Sequence, residues 1–192
     1  GQPTTQPKTW RQLVEAADAM GDLLQLRDAA VLLGGTVVHS HMFGFEMLVM
    51  QALRGAGVVY ASRIVFPSDL AQFAELDAPE KWLVTTPYHL GLFVEAGSLP
   101  AGLQRIVAAT MPLDAALAAR VEAGTGAQVH EIYGSTEAGC IATRRPVAGL
   151  GWRLAKDLRL SVKDDGKVVL VGRRVGGVLE VRLREGAGDL DR

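Results

Sequence analysis

The stretch EIYGSTEAG, residues 131–139, gathers groups able to meet a nucleotide and its metal at the end of the apolar run AQVHEIY. Tyr133 offers a flat face to a base, and Gly134 lets a ligand approach the backbone. Ser135 and Thr136 can donate to phosphate oxygens, and Glu137 can hold a hard cation. A plainer reading makes Glu137 a carboxylate at the start of a helix, where the helix dipole favours negative charge.

Other residues have chemistry and an ordinary alternative. His39 and His41 sit two apart, but no third ligand lies near enough in sequence to complete a zinc site, and a lone His41 suits a buried hydrogen-bonding role. His89 follows Pro87 at a helix start, where it can face solvent. Thr110 and Met111 lie on a loop in which Pro112 can open a helix. Residues 1–8 hold Gly1, Pro3 and Lys8, but the glycine that precedes the lysine of a Walker A loop is absent. Near the other end, Asp189 and Asp191 read as solvated charges or as acceptors for hydroxyl groups.

These groups need elements to hold them. Thr9 and Gln12 form a capping-box pattern, followed by Leu13, Ala16, Met20, Leu23 and Leu24 at helical spacing. Strand-like runs from 30, 58, 82, 105 and 127 then alternate with helix-like segments from 45, 67, 87 and 112. That order implies a largely parallel sheet flanked by helices, an α/β fold. In such sheets ligands sit beyond the carboxyl ends of the strands, where loops 39–46, 109–114 and 134–139 fall, so all three are expected to converge on one crevice. After about residue 152 short strand-like runs with Asp and Gly punctuation predict a small antiparallel β meander. The expected division is therefore an α/β part over 1–150 and a β-rich part over 151–192, with 144–151 as the link.

Composition narrows the classes. Of 192 residues 48% are apolar, enough for a buried core, and the net charge of −1 leaves no footprint for nucleic acid. The longest apolar runs fall short of a membrane span, and the single Cys140 permits no internal disulfide. With no signal-peptide pattern at the start, a cytoplasmic protein is expected.

The segment Tyr133, Gly134, Ser135, Thr136, Glu137 resembles the Tyr-Gly-x-Thr-Glu motif of the adenylate-forming enzymes, the superfamily of acyl-CoA synthetases, aryl acid ligases and peptide-synthetase adenylation domains. Residues 1–8 look like the tail of that superfamily's phosphate-wrapping loop, without its Ser/Thr-rich first half, or like a plain chain terminus. His41, Phe43 and Gly44 resemble its His-x-aromatic-Gly segment beside the acyl pocket, and His89 would lie near the carboxylate substrate. Ala109–Leu113 resembles the segment whose backbone lines adenine, with Thr110 and Met111 in place of smaller residues. Gly188–Leu190 resembles the Thr-Gly-Asp-Leu sequence in which the Asp accepts the ribose hydroxyls, which implies Asp189 first and Asp191 second.

The resemblance implies ATP, Mg²⁺ and a thiol acceptor, either CoA or the phosphopantetheine of an acyl carrier protein. It implies conversion of a carboxylic acid to an acyl-adenylate with release of pyrophosphate, then transfer to the thiol. Tyr133 would stack on adenine, Thr136 would donate to the α-phosphate, and Glu137 would hold Mg²⁺. The texture of KTWRQL, WLVTTPYHL and HEIYGSTEAG looks most like ligases for aryl or fatty acyl groups, with an aryl acid first. The family's early half and lysine-bearing lid have no counterpart here, so the chain reads as a piece of the large domain with little turnover alone. A non-catalytic α/β module that binds nucleotide or a partner is the competing expectation.

Overall fold

Thr9 and Gln12 open the first helix reciprocally. Thr9 Oγ1 accepts the Gln12 N–H at 3.3 Å, while Gln12 Oε1 accepts the Thr9 N–H at 2.8 Å, satisfying two donors that a helix start leaves free. The computed structural model describes residues 6–26, 31–164, 167–175, 179–180 and 190–191. Its helices are α1 (Trp10–Leu24), α2 (Met42–Gly44), a π-helical stretch Phe45–Met50, α3 (Gln51–Leu53), α4 (Pro67–Glu75), α5 (Pro87–Glu95) and α6 (Ala115–Thr125). The strands are β1 (Val31–Gly35), β2 (Val58–Val59), β3 (Glu80–Thr85), β4 (Arg105–Ala108), β5 (Gln128–Ser135), β6 (Gly139–Arg144), β7 (Trp152–Leu154), β8 (Leu158–Val162), β9 (Val168–Gly172), β10 (Leu179–Glu180) and β11 (Leu190–Asp191).

Eight strands form the main sheet in the order β11-β7-β6-β5-β4-β3-β1-β2. From β2 to β5 every pairing is parallel, which needs the long crossover connections that the helices between these strands supply. At β5 the sheet changes direction: β6 and β7 are antiparallel, and β11 runs parallel to β7. A second sheet, β10-β9-β8, is antiparallel throughout. The α/β sheet with a separate antiparallel meander is the architecture expected from the alternation of periods.

Alternate side chains of each parallel strand enter different cores. Trp82 and Val84 of β3 pack with Met20, Leu23 and Leu24 of α1 and with Met47 and Leu48 of the π stretch. Leu83, between them in sequence, packs with Phe73 of α4, Phe93 of α5 and Val121 of α6. The sheet is therefore covered by helices on both faces, and its strands read as continuous apolar runs for that reason.

Several boundaries differ from those the sequence suggests. The helix expected from residue 45 begins at Met42 and is π-helical through Phe45–Met50. The run from 58 yields only the two-residue β2. Pro112 does not open α6; Asp114 caps it, its carboxylate accepting the N–H groups of Ala116 at 2.8 Å and Leu117 at 3.1 Å. Residues 139–144, which carry no alternating pattern, form β6. A 3₁₀ turn at Pro146–Ala148 then leads into β7, still in the main sheet, and the second sheet begins at Leu158.

Candidate functional site

Strand β5 does not stop at Tyr133 but continues through Ser135, and the chain reverses at Thr136–Ala138 into β6. The expected loop is thus the tip of a β-hairpin. Glu137 is on this tip and not at a helix start, so the helix-dipole reading of its carboxylate fails. The hairpin is narrow at its end: a Cβ on Gly134 would lie 2.6 Å from the Gly139 carbonyl oxygen, so only glycine allows that approach. Ser135 Oγ accepts the Ala138 N–H at 3.2 Å and closes the turn, so its acceptor role is already used. Thr136 is exposed, Glu137 half-buried, and the Tyr133 ring is 40% exposed. That ring meets Trp152 of β7 edge to face with centroids 5.8 Å apart, and the Arg144 guanidinium lies 4.7 Å above the Trp152 ring.

Charged side chains from distant parts of the chain hold the backbone of this turn from beneath. Lys8 Nζ donates to the Glu137 carbonyl at 2.7 Å. Arg174 Nη1 donates to the Ala138 carbonyl, and its Nε donates to Asp157 at 2.6 Å. The Cys140 N–H donates to Glu46, a buried carboxylate on the π-helical stretch whose Oε1 has no hydrogen-bond partner among the described residues. Burial raises the Glu46 pKa to about 7, against the pull of Arg174 and Lys8. Burial also lowers the Lys8 pKa, with Glu46 opposing the shift. The Cys140 thiol is fully buried and pushed well up by burial first and then by Glu46, which leaves it a packing residue and not a nucleophile.

The loop after β4 is fixed to the same hairpin. Leu113 donates its N–H to Glu131 Oε1 at 2.9 Å, and Glu131 Oε2 accepts from Arg144 Nε at 2.7 Å. The buried Glu131 thus braces the loop carrying Thr110 and Met111 against the base of the hairpin. Thr110 has φ of 81°, a left-handed conformation that is costly for a branched residue. Both Thr110 and Met111 are exposed.

The segment after β1 also reaches the hairpin, through Glu46 and Gly139. Phe43 is buried, and Gly44 is required because the Val38 carbonyl occupies the space a Cβ would need. His39 and His41 are both exposed, so the buried structural role considered for His41 does not hold. His89 stands one strand further along, half-buried in the first turn of α5, with Nδ1 2.8 Å from Thr86 Oγ1. Burial lowers its pKa, helped by the positive charge of Arg63, so it is a neutral imidazole near pH 7.

Tyr133, Thr136 and Glu137 therefore share one hairpin end, and the loop holding Thr110 and Met111 is joined to its base by a hydrogen bond. His41, Phe43 and Gly44 follow β1, and His89 follows β3, at the same edge of the parallel strands. Gly1, Pro3 and Asp189 lie outside the described residues, and Asp191 pairs in register with Arg153. What sequence reasoning missed is the support: Glu46, Asp157 and Arg174 carry no motif, and Glu131, though it opens the stretch EIYGSTEAG, gives no sign there of bracing the loop before α6.

Among the described residues no three His, Cys, Asp or Glu side chains cluster as an all-protein metal site. Magnesium, however, usually takes one or two carboxylates together with substrate phosphates. Glu137 fits that requirement: its carboxylate is half-buried and takes no hydrogen bond from any described residue. No helix among the described residues is long and apolar enough to cross a membrane.

Several solved structures share this arrangement. An acyl-CoA synthetase (AMP-forming)/AMP-acid ligase II-like protein from Dyadobacter fermentans superimposes with a TM-score of 0.74 at 16% identity, over 93% of this chain and 53% of that one. The anthranilate CoA ligase AuaEII, solved with anthranoyl-AMP, gives 0.72 at 19% identity, over 91% and 38%. A malonyl-CoA ligase solved with methylmalonyl-CoA and AMP gives 0.70 at 22% identity, over 91% and 42%. These likenesses establish the fold, and the chain spans about half or less of each neighbour's length. No curated protein sequence matches it. The model of one family, the AMP-binding enzymes, matches residues 7–185, nearly the whole chain and the hairpin with it, and the chain belongs to that family.

Proposed function

We propose that this chain contributes the nucleotide site of an AMP-forming acid–thiol ligase, which activates a carboxylic acid as its acyl-adenylate and passes the acyl group to CoA or a carrier-protein phosphopantetheine. The observation that carries the reading is the hairpin end, where an exposed Tyr133 ring, the Thr136 hydroxyl and the Glu137 carboxylate share one turn whose backbone is tied down from beneath.

In this mechanism the substrate carboxylate attacks the α-phosphorus of ATP, pyrophosphate leaves, and no side chain acts as a covalent nucleophile. Tyr133 stacks on adenine, and the backbone at Thr110 and Met111 borders the other side of the base. Thr136 donates to the α-phosphate as negative charge grows there, an interaction strongest in the transition state. Glu137 would hold Mg²⁺, which would supply charge neutralisation at the phosphates. Asp189 accepts the ribose hydroxyls, on the strength of the sequence resemblance alone. Phe43 and Gly44 shape one wall of the acid pocket, with His41 and His89 at its border, and a neutral His89 donates or accepts without repelling a cation. The thiol then attacks the acyl carbon and AMP departs.

An aryl acid is the substrate class we put first. Titration of the chain with MgATP by calorimetry, followed by acid-dependent ATP–pyrophosphate exchange across aryl and fatty acids, tests the reading. Binding and exchange with one class support it; binding without exchange by any acid leaves a nucleotide-binding module, and failure to bind MgATP sinks the assignment of the hairpin.

A further inference from the structure

Arg174 has no solvent exposure, an uncommon place for a guanidinium, and its contacts explain why it is there. It lies two residues beyond the end of β9. Its Nε and Nη2 meet the two Asp157 carboxylate oxygens at 2.6 and 3.3 Å, a forked pairing, while Nη1 donates to the Ala138 carbonyl. Asp157 lies between β7 and β8, so the pair belongs to the second sheet and its approach, whereas Ala138 belongs to the hairpin of the main sheet. On the other side of the arginine, Gln12 Nε2 of α1 donates to the Arg174 carbonyl at 3.4 Å. The arginine is thus held from two elements and holds a third.

The Asp157 side chain is 37% exposed, and an ion pair open to water on one side adds little net stability while the arginine still gives up its hydration. Fold stability alone is therefore a weak reason for burying this guanidinium, whereas a donor of fixed direction suits a backbone carbonyl that must stay in one place. The carbonyl it holds is next in sequence to Glu137.

Resting on the nucleotide-site reading above, we propose that Arg174 is a positioning residue: by anchoring the Ala138 carbonyl to Asp157 it sets where the Thr136 hydroxyl and the Glu137 carboxylate stand relative to the phosphates. Tyr133 is not held in this way. Its strand is paired with Ala142 and its ring is braced by Trp152. Loss of Arg174 therefore separates two parts of nucleotide recognition, weakening what depends on the turn and sparing what depends on the ring.

The experiment compares wild type, Arg174→Met, Arg174→Lys and Asp157→Asn. Asp157→Asn keeps the arginine and its packing, so it covers the case in which Arg174→Met does not fold. Two measurements are made on each: amide hydrogen exchange at Thr136, Glu137 and Ala138, and calorimetric affinity for MgATP and for AMP without metal. In Arg174→Met, exchange at the turn is expected to quicken about tenfold with β3 and β4 unchanged, and MgATP binding to weaken about tenfold. AMP affinity falls by less than about threefold, because AMP keeps the stacking on Tyr133 and loses only the Thr136 contact to its phosphate. Arg174→Lys and Asp157→Asn fall between wild type and Arg174→Met in both measurements. Unchanged exchange at the turn in Arg174→Met and Asp157→Asn overturns the proposal, as does an equal loss of MgATP and AMP affinity. If wild type binds neither nucleotide while the variants still loosen the turn, the anchoring stands and the nucleotide reading of the hairpin falls.

Discussion

Glu46 and Gly139 compete for one volume: the carboxylate oxygen Oε1 of Glu46 occupies the place where a Cβ on residue 139 would have to be. Gly139 also has φ of 67°, in the left-handed region. A side chain there meets both strain and collision. Gly139→Ala is expected to destabilise the fold by about 2–4 kcal/mol, read as a lower urea midpoint with an unchanged slope. A change within about 0.5 kcal/mol would show that Glu46 moves aside freely.

Burial gives Glu46 a second consequence, a pH dependence of stability. Its pKa is about 7 in the folded chain and near the ordinary 4.5 when unfolded. Between those values the folded state binds the extra proton, so its contribution is full below pH 4.5 and is lost as pH rises through about 7. The expected fall is about 3 kcal/mol over that window. Glu46→Gln removes this contribution, and the difference between wild type and variant in urea unfolding at a series of pH values from 5 to about 8 measures it.

His130 is expected to act in the opposite direction. Burial lowers its pKa from 6.5 to about 4, assisted by Arg105, Arg145 and Arg153, and its Nε2 has no hydrogen-bond partner among the described residues. Its contribution is present above pH 6.5 and is lost as pH falls through about 4, again about 3 kcal/mol in full. From about pH 4.5 to 6.5 the two slopes oppose one another. A nearly flat wild-type profile should therefore separate into two sloping ones in His130→Asn and Glu46→Gln; parallel flat profiles in both variants would refute the assignment.

At the tip of the hairpin, substitutions should affect binding and leave the fold alone. Glu137→Gln and Thr136→Ala are expected to keep stability within about 0.5 kcal/mol, since Thr136 is exposed and the half-buried Glu137 carboxylate takes no hydrogen bond from a described residue. Glu137→Gln should abolish the difference in ATP affinity with and without Mg²⁺. Tyr133→Ala should cost about 1–3 kcal/mol of affinity for AMP and ATP alike, the worth of one stacked base. Calorimetry in the presence and absence of metal distinguishes these patterns, and an intact metal effect in Glu137→Gln would remove Glu137 from the metal site.

Much of the scaffold was legible in the sequence because its signals are local. The capping box at Thr9 and Gln12 needs four residues, and the alternation that implies a parallel sheet needs windows of ten or so. The hairpin end was legible as chemistry because Tyr133, Gly134, Thr136 and Glu137 are neighbours. Its shape was not, since residues 139–144 are buried throughout all but their last position and so lack the period of a half-exposed strand. The π-helical turn at Phe45–Met50 keeps a helix-like pattern and differs only in its hydrogen bonding. The support beneath the hairpin is the least legible part. Lys8 lies 129 residues from Glu137 and Arg174 lies 36 from Ala138, and a pair of adjacent arginines after a strand reads as a solvated turn until the fold brings one of them inside.

That separation bears on how the site comes into being. A chain made from its N-terminus delivers Lys8 and Glu46 long before the hairpin, and Arg174 only 36 residues after Ala138. Both strands of the hairpin are complete while the last of its anchors is still unmade. During synthesis the nucleotide motif is therefore present in sequence before it is fixed in space, and a nascent chain halted between the two would carry the motif with the turn untethered on that side.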